Sequence, residues 1–197
     1  MFGAKNGLAD QQLPCFRGHA HGDMHLRNIL VRGSLQTRDL AYWLIDVEWA
    51  DQAPLLYDHA YLELSALLYG LTRSRCGRVL PLLAKLDGEM PTVPVQLDLE
   101  DTGLVNLVRT IRDGTVRILS DREPRRADVW HRQFLLARIA AGLNWAAKPL
   151  DDPALRQAAL VTAAWATRLL VRRYHQDLWV DIAREDHAGD TGEGLRA

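Results

Sequence analysis

Catalytic side-chain types crowd one short stretch, GHAHGDMHLRNILV, from Gly18 to Val31. His19, His21, Asp23 and His25 alternate, so an extended backbone would put all four on one face. Imidazoles and a carboxylate are ligands for zinc or iron, and such a row implies a metal-dependent hydrolase. A second chemistry uses fewer of these residues. A carboxylate, Asp23, is followed by an amide, Asn28, and later by Asp46. One carboxylate can orient a hydroxyl group and accept its proton. The plain alternative is a polar turn, since Asp and Asn favour turns without any function.

Elements must bring those residues together. The segment NILVRG, Asn28 to Gly33, reads as a strand, and LAYWLIDV, Leu40 to Val47, as another. The polar link SLQTRD between them suits a hairpin. Past Asp51 the period changes: Leu56, Ala60, Leu64 and Leu67, with Leu68 adjoining, recur at helical spacing. Further helices are expected around RVLPLLAKL near Pro81, over LVNLVRTIRDGTVRIL with its internal Gly114, and over ADVWHRQFLLARIAAGLNWAA, where Leu135, Ile139 and Leu143 form a stripe. The last opens at Asp151-Asp152-Pro153, an N-terminal signal. Met90–Asp101 reads as a proline-marked connection, with a further break near Pro124. The domain reading is an irregular lead-in over 1–17, one unit over 18–186 with its polar loops in 18–52 and a helical body in 53–186, and a flexible tail over 187–197.

The order His21-Gly22-Asp23, Asn28, hairpin, Ile45-Asp46 resembles the catalytic and metal-binding loops of the protein-kinase-like fold. The forms HGDMHLRN and IDVE are closest to its aminoglycoside and choline phosphotransferase branch, and PLLYDHA, Pro54 to Ala60, is similar to that branch's next helix opening. The HxHxDH of metallo-β-lactamase-like hydrolases fits less well, because Met24 separates Asp23 from His25. The resemblance implies an α+β, mainly α fold: a kinase-like C-lobe whose β-hairpin carries both loops on a helical body. It implies an ATP- and magnesium-dependent transfer of phosphate to a small-molecule hydroxyl, with Asp23 as catalytic base and Asn28 and Asp46 as metal ligands. Leu30 and Ile45 become the floor under the adenine. His21 supports the loop, His25 belongs to the site or to its support, and Asp58 braces the catalytic loop besides starting a helix. Glu48 reaches a second metal or the substrate, or is a solvated loop carboxylate.

A complete enzyme of that fold carries an N-terminal lobe that grips the nucleotide phosphates. Only 20 residues precede His21, Lys5 is the one lysine among them, and no glycine-rich phosphate loop is present. The expectation is a C-lobe completed by an upstream segment or a partner chain. The alternative is a non-catalytic kinase-like binding or regulatory module of a bacterial signalling or conflict system.

Composition sets the outer bounds. The chain has 197 residues, 48% of them hydrophobic, enough for one sizeable core. Its 24 basic and 25 acidic residues give a net charge of -1, which offers no field for nucleic acid or an anionic membrane. Only Lys5, Lys85 and Lys148 are lysines, the bias of a GC-rich, bacterial coding sequence. Two cysteines, Cys15 and Cys76, sit far apart, and no signal-type segment or membrane span is visible, so the expected location is cytoplasmic. Trp130, Trp145 and Trp165 lie at helical spacing and read as core; Arg122, Arg125 and Arg126 read as solvated surface.

Overall fold

A computed structural model of the chain describes residues 14–34, 39–48, 50–71, 77–89, 98–122, 126–149 and 152–174. Most of the lead-in, the hairpin tip, the prolines of 91–94, Pro124 and the tail lie outside these residues, as do Lys5, Cys76, Arg125 and Asp151. The fold is mainly helical with a small antiparallel component. Strands β1 (Arg17–Ala20), β2 (Ile29–Ser34), β3 (Asp39–Leu44) and β4 (Ala50–Pro54) precede helices α1 (Leu56–Gly70), α2 (Val79–Leu86), α3 (Leu99–Arg122), α4 (Ala127–Ala147) and α5 (Pro153–Tyr174).

The expected hairpin is present as β2 paired with β3, Ile29 opposite Leu44 and Ser34 opposite Asp39. A second antiparallel pair, β1 with β4, was not legible in the sequence. RGHA and ADQAP are too short and too polar to show a strand period. Their pairing is held by main-chain contacts outside the ladder: Leu55 N donates to the Phe16 carbonyl at 3.1 Å. The Gln133 amide of α4 clamps Phe16 from both sides, at 2.7 and 2.8 Å. Ordered backbone therefore begins before residue 17, and β4 carries Ala53 and Pro54 that the sequence assigned to the helical body.

The core lies among the helices. In α1, Leu56, Ala60, Leu64, Leu67 and Leu68 are all buried, as their spacing requires. Burying each leucine is worth about 1.5–3 kcal/mol. In α4 the stripe holds only in part: Leu135 is buried, but Leu143 is 52% exposed. The buried face runs instead through Phe134, Ala137, Arg138, Ala141, Gly142 and Trp145. Alanines explain why. A side chain at Gly142 would meet the Ala159 carbonyl at 2.8 Å and the Ala163 methyl at 2.9 Å, so α4 and α5 touch along small residues. The α3 helix begins at Leu99, inside the expected connection, because Asp98 accepts from the Asp101 amide at 2.9 Å and caps it.

Beneath the apolar packing lies an ion network. Glu63 of α1 takes two bonds of 2.7 Å from Arg112 of α3. Asp87, just past α2, accepts from Arg112, from Arg138 of α4 and from the Trp165 indole of α5, the last at 2.7 Å. Glu63 and Arg138 are 1% and 2% exposed. Burial pushes the Asp87 carboxyl up, but the charges of Arg138 and Arg112 and the hydrogen bonds from Arg138 and Trp165 outweigh it, holding the group below the usual carboxylate range. Among the described residues no helix is long and apolar enough to cross a membrane.

Candidate functional site

The chain leaves β1 at Ala20 and turns sharply. Asp58, in the first turn of α1, accepts from the His21 amide at 2.5 Å and from the Gly22 amide at 3.1 Å. Gly22 has φ +87°, and a Cβ there would fall 2.7 Å from the Glu48 carbonyl oxygen. Only glycine meets both conditions. This contact presses the Asp23 loop against the segment that follows Asp46. The His21 ring makes the second tie: its Nε2–H donates to the Ile45 carbonyl at 2.9 Å. Asp58 holds the Asp23 loop by its backbone, and the two loops are joined through one buried imidazole, that of His21.

Asn28 closes a 3-10 turn over Leu26–Asn28 and is 5% exposed. Its Nδ2 donates to the Asp23 carbonyl at 3.0 Å. That bond turns Oδ1 the other way, where no donor among the described residues meets it. The Asn28 carbonyl accepts from Ile45 N at 3.0 Å, which extends the β2–β3 ladder by one step and sets Asp46 beside Asn28 at the hairpin base. Asp46 is exposed and has φ +53°. That left-handed backbone costs an ordinary residue about 1–2 kcal/mol, and Asp tolerates it better than most. The 3-10 turn itself rests on Ser65 of α1, whose hydroxyl accepts from Leu26 N at 3.1 Å and donates to the Leu62 carbonyl at 2.9 Å.

The Asp23 carboxylate is 35% exposed. His25 Nε2 lies 3.4 Å from Oδ2, and Lys148 Nζ, just beyond α4, lies 3.8 Å from Oδ1. Tyr61 borders it as well. Burial raises the Tyr61 phenol and the charge of Asp23 raises it further, so the hydroxyl stays protonated. Tyr61 and Trp145 stand 5.7 Å apart between ring centres, with Tyr57 at 5.5 Å from Tyr61, and His25 leans on the first two. Trp145 is core, as expected, but its ring also walls the site.

Strand alternation places Leu30, its partner Trp43 and Ile45 on one face of the hairpin, the face that Asn28 shares. Leu30 and Trp43 are each 49% exposed. Glu48 is exposed and touches the site only through its carbonyl against Gly22. The alternating row of four does not gather. His19 is exposed and pairs with Asp51 at 2.7 Å, while the His21 Nε2 is committed to Ile45. Among the described residues no three His, Cys, Asp or Glu side chains converge as a metal site.

Ser65, Tyr61, Lys148 and Gln133 were missed in the sequence. Ser65 is a lone hydroxyl in the apolar run LELSALL, a signal that something polar crosses that helix face. Lys148 is one of three lysines. Tyr61 and Gln133 carry no comparable mark. Comparisons of the chain with protein-family models, curated proteins and solved structures find no match.

Proposed function

We propose that this chain is a kinase-like C-lobe of phosphotransferase type, acting with magnesium and ATP on the hydroxyl of a small molecule. The observation that carries the reading is the junction of two loops: Asp23 and Asn28 on one, Asp46 on the other, joined by His21 and braced by Asp58. A chain that needed only a turn there has no use for a buried imidazole donating to the residue before an exposed, left-handed aspartate.

Each residue has a role in that chemistry. Asp23 accepts a hydrogen bond from the acceptor hydroxyl and takes its proton as the oxygen attacks the terminal phosphorus. The bond from that phosphorus to the bridging oxygen breaks, and the nucleoside diphosphate leaves. The donor types fit magnesium, since Asn28 and Asp46 bring an amide oxygen and a carboxylate, both hard ligands, to the same hairpin base. When bound there, magnesium would neutralise phosphate charge. Leu30, Ile45 and Trp43 offer an apolar face next to those oxygens, where a nucleotide base can lie.

Among the described residues no side chain is placed to grip the phosphates farther from the acceptor, and in this reading a further segment or a partner chain completes the cleft. Fixing the reacting groups accounts for about 7–11 kcal/mol of such a barrier, so the chain alone transfers phosphate poorly. The competing reading, a non-catalytic binding module, draws on the exposed apolar hairpin: Val31 and Tyr42 are 65% and 72% exposed on the face away from Leu30.

The test is magnesium-dependent ATP binding by the chain, then turnover by the completed protein over a panel of small alcohols. Asp23→Asn should abolish most turnover and leave nucleotide binding; Asp46→Ala should abolish both. If the completed protein binds no nucleotide, the binding-module reading replaces this one.

A further inference from the structure

Lys148 follows the last turn of α4 and carries its ammonium over two rings at once, 5.2 Å from the Tyr61 centre and 5.1 Å from that of Trp145. This is the seat that a quaternary or primary ammonium seeks on aromatic faces. Here a tethered cation already fills it. The same ammonium stands 3.8 Å from Asp23 Oδ1, beyond hydrogen-bond length, and its side chain is 37% exposed. An ammonium has three donors, and among the described residues none of those on Lys148 meets an acceptor at hydrogen-bond distance.

We infer that Lys148 determines the charge of the acceptor: the alcohol that lies on Asp23 carries a carboxylate or a phosphate, which Lys148 binds. The inference rests on the phosphotransferase reading for the role of Asp23. A hydroxyl at hydrogen-bond distance from Asp23 lies within a few ångströms of Lys148 Nζ. An anionic group two or three bonds away on the same molecule reaches the free donors, and a charge-assisted hydrogen bond forms. A cationic alcohol meets the opposite situation. Its ammonium finds the Tyr61–Trp145 seat taken and a like charge in it.

Binding alone tests this, without turnover. The chain would be labelled with nitrogen-15 and its Trp145 indole signal, identified with Trp145→Phe, followed during titration with glycerate, glycerol 3-phosphate, glycerol and choline. The wild type should bind at least one of the two anions about tenfold or more tighter than choline. Which anion wins distinguishes carboxylate from phosphate. Lys148→Met should erase the preference, and Lys148→Arg should keep it, an outcome that loss of packing alone does not give. The inference is overturned if choline binds the wild type as tightly as the better anion, if neither anion binds, or if the anion preference survives Lys148→Met. Magnesium-ATP titration of the completed protein separates the two ideas: absence of nucleotide binding there refutes the phosphotransferase reading and leaves the charge preference to be judged by the alcohols.

Discussion

Removing the Asp58 carboxylate should loosen the Asp23 loop far more than it destabilises the protein. Asp58 accepts from two consecutive amides, His21 at 2.5 Å and Gly22 at 3.1 Å. A hydrogen bond to a charged group contributes about 1.5–3 kcal/mol. His21 is 6% exposed, so its amide gains little water in Asp58→Ala, whereas the half-buried Gly22 amide regains some. The expected loss for the loop is about 2–4 kcal/mol. In native-state amide exchange that corresponds to about 30- to 900-fold less protection at His21 and Gly22. Ile45, tied to the same loop through the His21 ring, should lose protection in part, while Leu67 in the middle of the core keeps its own. Asp58→Asn retains one oxygen and should fall between wild type and Ala. Exchange at His21 and Gly22 within about threefold of wild type in Asp58→Ala would refute the bracing argument, since the smallest expected loss is about tenfold above that.

Other perturbations reach different parts of the molecule. Asp87→Ala leaves Arg138 buried with one partner fewer, and urea unfolding should show a loss of about 3–5 kcal/mol. Because the folded Asp87 carboxyl lies below its unfolded value of 3.8, its contribution is complete above that pH and disappears as pH falls through the folded value; the acid limb of stability should be shallower in Asp87→Asn. Gly22→Ala forces a φ of +87° on a Cβ 2.7 Å from the Glu48 carbonyl, so magnesium-ATP affinity should drop about tenfold, a 1.4 kcal/mol effect, with helical circular dichroism unchanged. Leu30→Asp should weaken nucleotide binding by a similar factor, whereas Val31→Asp, on the opposite hairpin face, should not; equal effects would remove Leu30 from the site.

What the sequence revealed follows a physical line. The α1 stripe and the hairpin were legible because burial imposes a period on side chains, 3.6 in one and 2 in the other. The adjacency of Asn28 and Asp46 was legible because a hairpin that starts after one returns the chain to the other; their roles rest on the family resemblance. The β1–β4 pair escaped because strands of four and five residues, mostly small or polar, are selected by backbone pairing and by the Gln133 clamp from α4. Leu143 misled because α4 packs on α5 through Gly142 and alanines, where apolar spacing carries little information. Lys148 escaped because nothing local to it marks the approach of α4 to Asp23, a contact made across most of the chain length.

The pairing of β1 with β4 has an effect on what a folding measurement can detect. Ala20 and Ala50 are partners, so everything between them, including Asp23, Asn28 and Asp46, is an excursion that leaves the body at one point and returns there. The buried core and the ion network lie almost wholly in α1–α5 and the turn after α2, with Leu26 the excursion's apolar contact to the core. A substitution can therefore disrupt these loops while the melting temperature stays close to where it was. In a lineage under selection for a folded body alone, the loops would drift and no thermal scan would register it. For this protein, heat reports on the helices, and amide exchange or a ligand reports on the loops.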